Sequence, residues 1–235
     1  MAKFLAASAL PDFQHTPLDL AERSIRLLRL IGGHDSAGVI ECEIFEASLD
    51  EEELIPYQAL SYVWGSPVAR RSIALNGKRK YITANLFSAL SNIRQEHDQY
   101  LWVDALCIDQ DNDIERTHQV QNMARIYEKA EQVLVWLGET TDEAERVAIS
   151  CINEFATRVA DFASNSWMLD DPRWAETWEY AIRHGEALLS LNSREQPRVL
   201  KGSAYLAHAL NRIFARPWFY RVWVLQGEIS PKFRL

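Results

Sequence analysis

The sequence predicts an α/β fold: a mainly parallel sheet flanked by helices, with an N-terminal β-hairpin region and a helical insertion. Three observations predict it. The middle of the chain reads strand, helix, strand, helix, strand. Its strand runs, "YQALSYVWG" (57–65), "LWVDALCIDQ" (101–110) and "QVLVWLGE" (132–139), are almost continuously apolar. Strands of that kind are covered on both faces, as in sheets built from crossover helices. The segments joining them carry apolar residues at helical spacing.

"SIRLLRLIGG" (24–33) reads as a strand closed by a Gly-Gly turn. "VIECEIFEASL" (39–49) sets Ile40, Cys42 and Ile44 against Glu41 and Glu43, the period of two expected of an antiparallel or edge strand with one wet face. "RSIALNGKRKYIT" (71–83) is a hairpin turning on Asn76-Gly77. Thr83 or Asn85 can cap the helix that follows, with Leu86, Leu90 and Ile93 on its apolar stripe. "LWVDALCIDQ" is expected to be a two-sided buried strand. Helix 113–130 takes Asp113 as its N-cap and Val120, Met123, Ala124 and Tyr127 as its apolar residues. Arg116 stands where a capping box would place Glu, so the box is incomplete.

Residues 140–212 read as a helical insertion, opening with the long amphipathic helix "DEAERVAISCINEFATRVADFA". The helix in "YLAHALNRIFARPWF" should stop just before Pro217, and "YRVWVLQGEIS" closes as a strand or strand-to-helix turn. The expected organisation is an N-terminal extension (1–24) followed by one domain (25–230) that contains the insertion.

Composition narrows the function. A net charge of −8 argues against a nucleic-acid partner, which needs a basic footprint. The short "KRK" at 78–80 reads as a solvated hairpin turn. Three scattered cysteines (Cys42, Cys107, Cys151) form neither a disulfide framework nor a zinc site. They fit a reducing compartment, hence a cytoplasmic location. The N-terminus is no convincing signal peptide, and no apolar run reaches the ~18 residues of a membrane span. No metal and no permanently bound cofactor are expected.

Four strand tails carry the polar groups: Ser61 to Gly65, Asp104 to Gln110, Trp136 to Glu139, and Arg221 to Glu228. Open α/β sheets bind ligands outside the carboxyl ends of their strands, where these tails would converge if the strands are parallel. Asp104 is then either a ligand-facing carboxylate or a structural one, paired with backbone N–H groups or with an arginine such as Arg116 or Arg221. Asp109, beside the start of a helix, suits a capping or ligand role. Cys107 reads as an inert core thiol, since nothing near it in the sequence lowers its pKa. His118 supports no ligand assignment. The eight tryptophans (Trp64, Trp102, Trp136, Trp218 and Trp223 among them) suggest an aromatic core with one or two members on a pocket wall. "IGGHDSAG" lacks the spacing and the Lys of a phosphate-binding loop.

"YQALSYVWG", "LWVDALCIDQ", "ERTHQVQNMARIYEKAEQVLVWLGE" and "RPWFYRVWVLQ" resemble, in order and spacing, the fungal heterokaryon incompatibility domain over residues 25–230. The resemblance implies a role in fungal non-self recognition, in which fusion of unlike cells is followed by a death reaction. It also implies distant similarity to the Toll/interleukin-1 receptor domain, with its flavodoxin-like parallel sheet. Some of those domains release nicotinamide from NAD with one glutamate. Cleaving that N-glycosidic bond passes through an oxocarbenium-like centre, which a carboxylate near the ribose stabilises.

By this resemblance NAD is a possible substrate, and the substrate-binding residues are Ser61, Trp64, Gly65, Asp104, Asp109, Gln110, Arg116, Trp223 and Gln226. The glutamate should follow Trp-x-x-Gln. This chain has Trp223-Val224-Leu225-Gln226-Gly227, with Glu228 one position late. One residue moves a strand side chain to the opposite face and turns a helical one by about 100°, so Glu228 is a poor substitute. Asp109 is a further catalytic candidate. The copy is expected to be weak or inactive. The alternative is a non-enzymatic death-signalling module that self-assembles. Expected partners are NAD or a related nucleotide, a second copy of the chain and an upstream allorecognition protein.

Overall fold

A computed structural model describes residues 10–21, 23–33, 39–50, 54–162, 172–173, 175–180, 183, 202–220 and 233–234. The chain divides into two units, residues 1–138 and 139–235.

The first unit is a sheet with helices. Its strands are β1 (Ser24–Leu30), β2 (Glu41–Ser48), β3 (Gln58–Tyr62), β4 (Arg70–Leu75), β5 (Lys78–Thr83), β6 (Gln99–Trp102) and β7 (Gln132–Trp136). They lie in the order β5-β4-β2-β1-β6-β3-β7. The block β6-β3-β7 is parallel, with Ala59 opposite Trp102 on one side and Val133 on the other. β1 runs antiparallel to both β2 and β6, and β4 to β5. A short parallel contact of Glu41 and Cys42 with Ala74 and Leu75 joins the two parts. The expected α/β class holds.

Local chemistry explains the elements. Asn76 (φ 49°) and Gly77 (φ 69°) make the left-handed pair that a two-residue hairpin requires. Thr83 caps α1 (Ala84–Ile93) by accepting the Leu86 N–H, and Leu86, Ala89 and Leu90 pack inward. The core centres on β1, β3 and β6, where Leu27, Leu28, Leu30, Leu60, Leu101 and Trp102 lose almost all exposure.

Three expectations are corrected. "LWVDALCIDQ" is not one strand. β6 ends at Trp102, and Asp104–Cys107 form a helical turn, α2. Leu106, Cys107 and Ile108 are buried because α2 packs back on β1. A short apolar run reads the same as a buried strand or a buried turn. α3 (Asp113–Lys129) is capped by Asn112, whose side chain accepts the Ile114 and Glu115 N–H groups, rather than by Asp113. Its inward face carries Glu115, Gln119 and Ile126, while Val120 and Ala124 face solvent. A charged residue lies inside because Arg26 waits for it there.

The second unit contains α4 (Glu143–Phe162), α5 (Gly202–Phe214), a 3-10 turn at Pro217–Tyr220 and the short strand Phe233–Arg234. α4 packs on α5. Arg212 and Arg216 converge on buried Glu145, and Arg212 also pairs with Asp142. α5 ends at Phe214, in line with the expected stop before Pro217. Among the described residues, no helix is long and apolar enough to cross a membrane.

Candidate functional site at the carboxyl edge of the sheet

The chain leaves β3 and reaches β6 on one side, then leaves β6 and reaches β7 on the other side of β3. The carboxyl ends of the parallel strands β3 and β6 lie side by side on one edge of the sheet, the edge at which open α/β sheets bind ligands.

Two site residues meet there. Trp64, beyond β3, donates its indole N–H to the Asp104 carboxylate across 2.8 Å. The other carboxylate oxygen accepts the Ala105 N–H at 2.7 Å. Asp104 thus pairs with an indole and a backbone amide, and Arg116 turns elsewhere, to the Gln110 carbonyl (3.0 Å) and to Asp113 (2.7 Å). Trp64 is 42% exposed, which leaves much of its ring open to a planar ligand.

Asn85 ties the remaining tail in. Its side-chain amide donates to the Val63 carbonyl (2.5 Å), and its side-chain oxygen accepts the Trp136 indole N–H (3.0 Å). Sequence reading considered Asn85 only as a helix cap. Since Thr83 performs that role, the Asn85 amide is free to span β3 and β7. Gly65 (φ +77°) adopts a left-handed backbone against it, and a Cβ there would lie 3.1 Å from the Asn85 Cβ.

α2 holds Asp104 in place. A single helical turn leaves its last carbonyls without intrahelical partners; here side chains serve two of these and add to the Ile108 N–H on the Asp104 carbonyl. Gln110 donates to the Asp104 carbonyl (2.8 Å), the His15 ring to that of Leu106 (2.8 Å), and Arg26 to that of Cys107 (3.1 Å). Arg26 is in turn fixed by Glu115 through bonds of 2.6 and 3.0 Å, with both residues almost fully buried. Burial alone would raise the Glu115 pKa, but the guanidinium and the Asp109 N–H outweigh it and hold the carboxyl below its ordinary value. Sequence reading missed Arg26. The signal was an arginine near the start of β1, one of two in that otherwise apolar run.

The other expected site residues separate. Ser61 is 1% exposed and lies in the sheet opposite Val135. Asp109 faces the N-terminal segment, with its carboxylate 3.7 Å from His15, and does not cap α3. Cys107 is buried, which pushes its thiol up to about 12, as an inert core group requires. Trp102 is wholly buried against Tyr127, so it belongs to the core. Arg221, Trp223, Gln226, Gly227 and Glu228 lie outside the described residues. Among the described residues, no group of three His, Cys, Asp or Glu side chains is placed to hold a metal ion.

The sheet and its flanking helices define an α/β domain of the open-sheet kind. The family model for the heterokaryon incompatibility protein (HET) matches residues 57–227, and the chain belongs to that family. It is 29% identical over 245 residues to heterokaryon incompatibility protein 6, OR allele, of Neurospora crassa. That match covers 94% of this chain and 34% of the relative, so the chain spans about a third of the relative's length. No solved structure matches.

Proposed function

We propose that this chain is a fungal non-self recognition domain whose carboxyl-edge site receives NAD or a related dinucleotide, with cleavage of the N-glycosidic bond as the parent activity. The contact between Trp64 and Asp104 carries the reading, because it sets an open aromatic face beside a fixed carboxylate at the carboxyl edge of the sheet. In this reading Trp64 stacks the nicotinamide ring, and Asp104 faces the ribose and stabilises the developing oxocarbenium charge. Gln110 and Arg116 lie on the α3 side of Asp104, where the phosphates would be received. Water attacks the ribose carbon, nicotinamide leaves with the bonding pair, and a proton is released with ADP-ribose. Loss of the dinucleotide would link recognition to cell death.

Position 227 is Gly where the family resemblance places the acid, so this copy should turn over slowly or not at all. The test is nicotinamide release from NAD by the chain, by its Gly227→Glu variant and by Gly227→Glu with Asp104→Ala. The expected result is release by Gly227→Glu alone. Absence of release from Gly227→Glu at high enzyme concentration would remove the enzymatic reading and leave the non-enzymatic one.

A further inference from the structure

Residues 54–95 hold six cations, Arg70, Arg71, Lys78, Arg79, Lys80 and Arg94, and no Asp or Glu. The chain carries −8, of which this stretch contributes +6, leaving −14 on the rest. Five of the six cations sit on the β4–β5 hairpin. Elsewhere in the first unit, Arg23, Arg26, Arg29, Arg116 and Arg125 each meet a carboxylate. On the hairpin, Arg79 pairs with Asp12 (2.8 Å) and Lys80 lies over the Phe13 ring. Arg70, Arg71 and Lys78 are exposed and form no ion pair among the described residues, and Arg70 only donates to the Pro67 carbonyl at 3.0 Å. Tyr81 (49% exposed) and Val68 (88% exposed) lie beside them.

Cations on an edge strand commonly serve to block edge-to-edge pairing. Here the N-terminal segment covers the β5 edge at Arg79. The Phe13 N–H bonds the Arg79 carbonyl and the Arg79 N–H bonds that of Pro11, both at 2.7 Å. The same unit supplies the complement of the exposed cations: residues 104–115 carry five carboxylates and no Lys or Arg, and Asp111 and Asp113 are exposed.

We propose that the β4–β5 hairpin is a docking surface for the acidic α2–α3 loop (109–113) of a second copy of this chain. Because the two patches differ, each copy can offer both, either reciprocally in a closed two-fold pair or head to tail. Opposite charges speed encounter and fix register, and salt weakens the contact within a Debye length of about 10 Å at 0.1 M. The proposal is independent of nucleotide cleavage and is tested without it.

Sedimentation velocity reads the outcome. The chain should form species larger than a monomer at low salt and dissociate at high salt. A hairpin-reversed variant (Arg70→Glu, Arg71→Glu, Lys78→Glu) and a loop-reversed variant (Asp111→Lys, Asp113→Lys) should each remain monomeric. Mixed in equal amounts they bring together one native and one charge-swapped pair of complementary patches, so species larger than a monomer should return at low salt. Thermal melts check that each variant folds, and Asp111→Lys alone replaces the double variant if its melt is lowered. A wild-type chain monomeric at low salt, a hairpin-reversed variant that still assembles, or a mixture that stays monomeric would each overturn the proposal.

Discussion

Arg26 and Glu115 form a two-pronged ion pair of 2.6 and 3.0 Å, with 2% and 1% of their surfaces exposed. The pair links the third residue of β1 to the opening turn of α3. Removing one partner leaves the other charge buried and alone, which costs about 3–5 kcal/mol, whereas exchanging both for apolar residues of similar volume is often close to neutral. Arg26→Met and Glu115→Leu should each lower stability by that amount, and the double variant should recover a large part of it. Urea unfolding of the four proteins closes the cycle. Additive losses would show that the pair does not act as a unit.

The same pair sets an acid limit. The Glu115 carboxyl is held below its ordinary value, so its contribution is complete above the unfolded glutamate pKa and is lost as pH falls through the lower, folded value. Stability should therefore decline below about pH 4.5, in the range where unfolded glutamates take up protons. In Glu115→Gln this part of the slope should flatten. Urea midpoints across the acid range measure it.

Gly65 tests the frame of the candidate site. Its φ of +77° suits glycine, and an added Cβ would press on Asn85 at 3.1 Å. Gly65→Ala should cost roughly 1–2 kcal/mol from the left-handed backbone alone. Because Asn85 bridges the Val63 carbonyl and the Trp136 indole, the near-ultraviolet circular dichroism of the tryptophans should change as well. An Ala variant with wild-type stability and spectrum would show that the Gly65–Asn85 approach does not matter.

Much of the scaffold was legible because its signals are local. Alternation in β2, the Asn76-Gly77 turn and the apolar runs of β3 and β7 each specify backbone geometry without help from distant residues. The convergence of the β3 and β6 tails was legible too, since parallel strands put their carboxyl ends on one edge. The α2 turn was not, because Leu106, Cys107 and Ile108 are as apolar as a strand and period alone does not separate the two. Asn112 displaced Asp113 as the cap of α3 because both are good caps one residue apart, and Glu115 at the third helical position was drawn to Arg26, a partner 89 residues away. The roles of Arg26 and Asn85 depend on such distant partners, which no window of sequence displays.

The cysteines should be silent in the folded protein. Cys42, Cys107 and Cys151 are all buried, and burial pushes the first two up to about 12, so almost no thiolate forms near neutral pH. A disulfide reagent added at pH 8 should react only as fast as the chain opens, and urea should release all three thiols together with unfolding. A thiol that reacts at once in the native protein would place that cysteine at the surface.

His15 gives the N-terminal segment a pH dependence of its own. Its ring donates from Nε2 to the Leu106 carbonyl, so the neutral form leaves Nδ1 unprotonated 3.7 Å from the Asp109 carboxylate. Burial is the largest influence and lowers its pKa, aided by Lys80 and Arg26 and opposed by the Leu106 bond and Asp109. A histidine shifted downward takes up its proton more readily in the unfolded chain. Its contribution is therefore present above the unfolded value of 6.5 and is lost as pH falls towards the folded value. Local opening of residues 11–18 should become easier below pH 6.5, before the Glu115 limit is reached. Hydrogen exchange at Phe13, whose N–H bonds Arg79, should accelerate over that interval, while exchange at Leu28 in β1 should not. His15→Gln keeps a side-chain N–H for the Leu106 carbonyl and cannot titrate, so the acceleration should disappear with the bond retained. Equal acceleration in wild type and His15→Gln would assign the effect to another group.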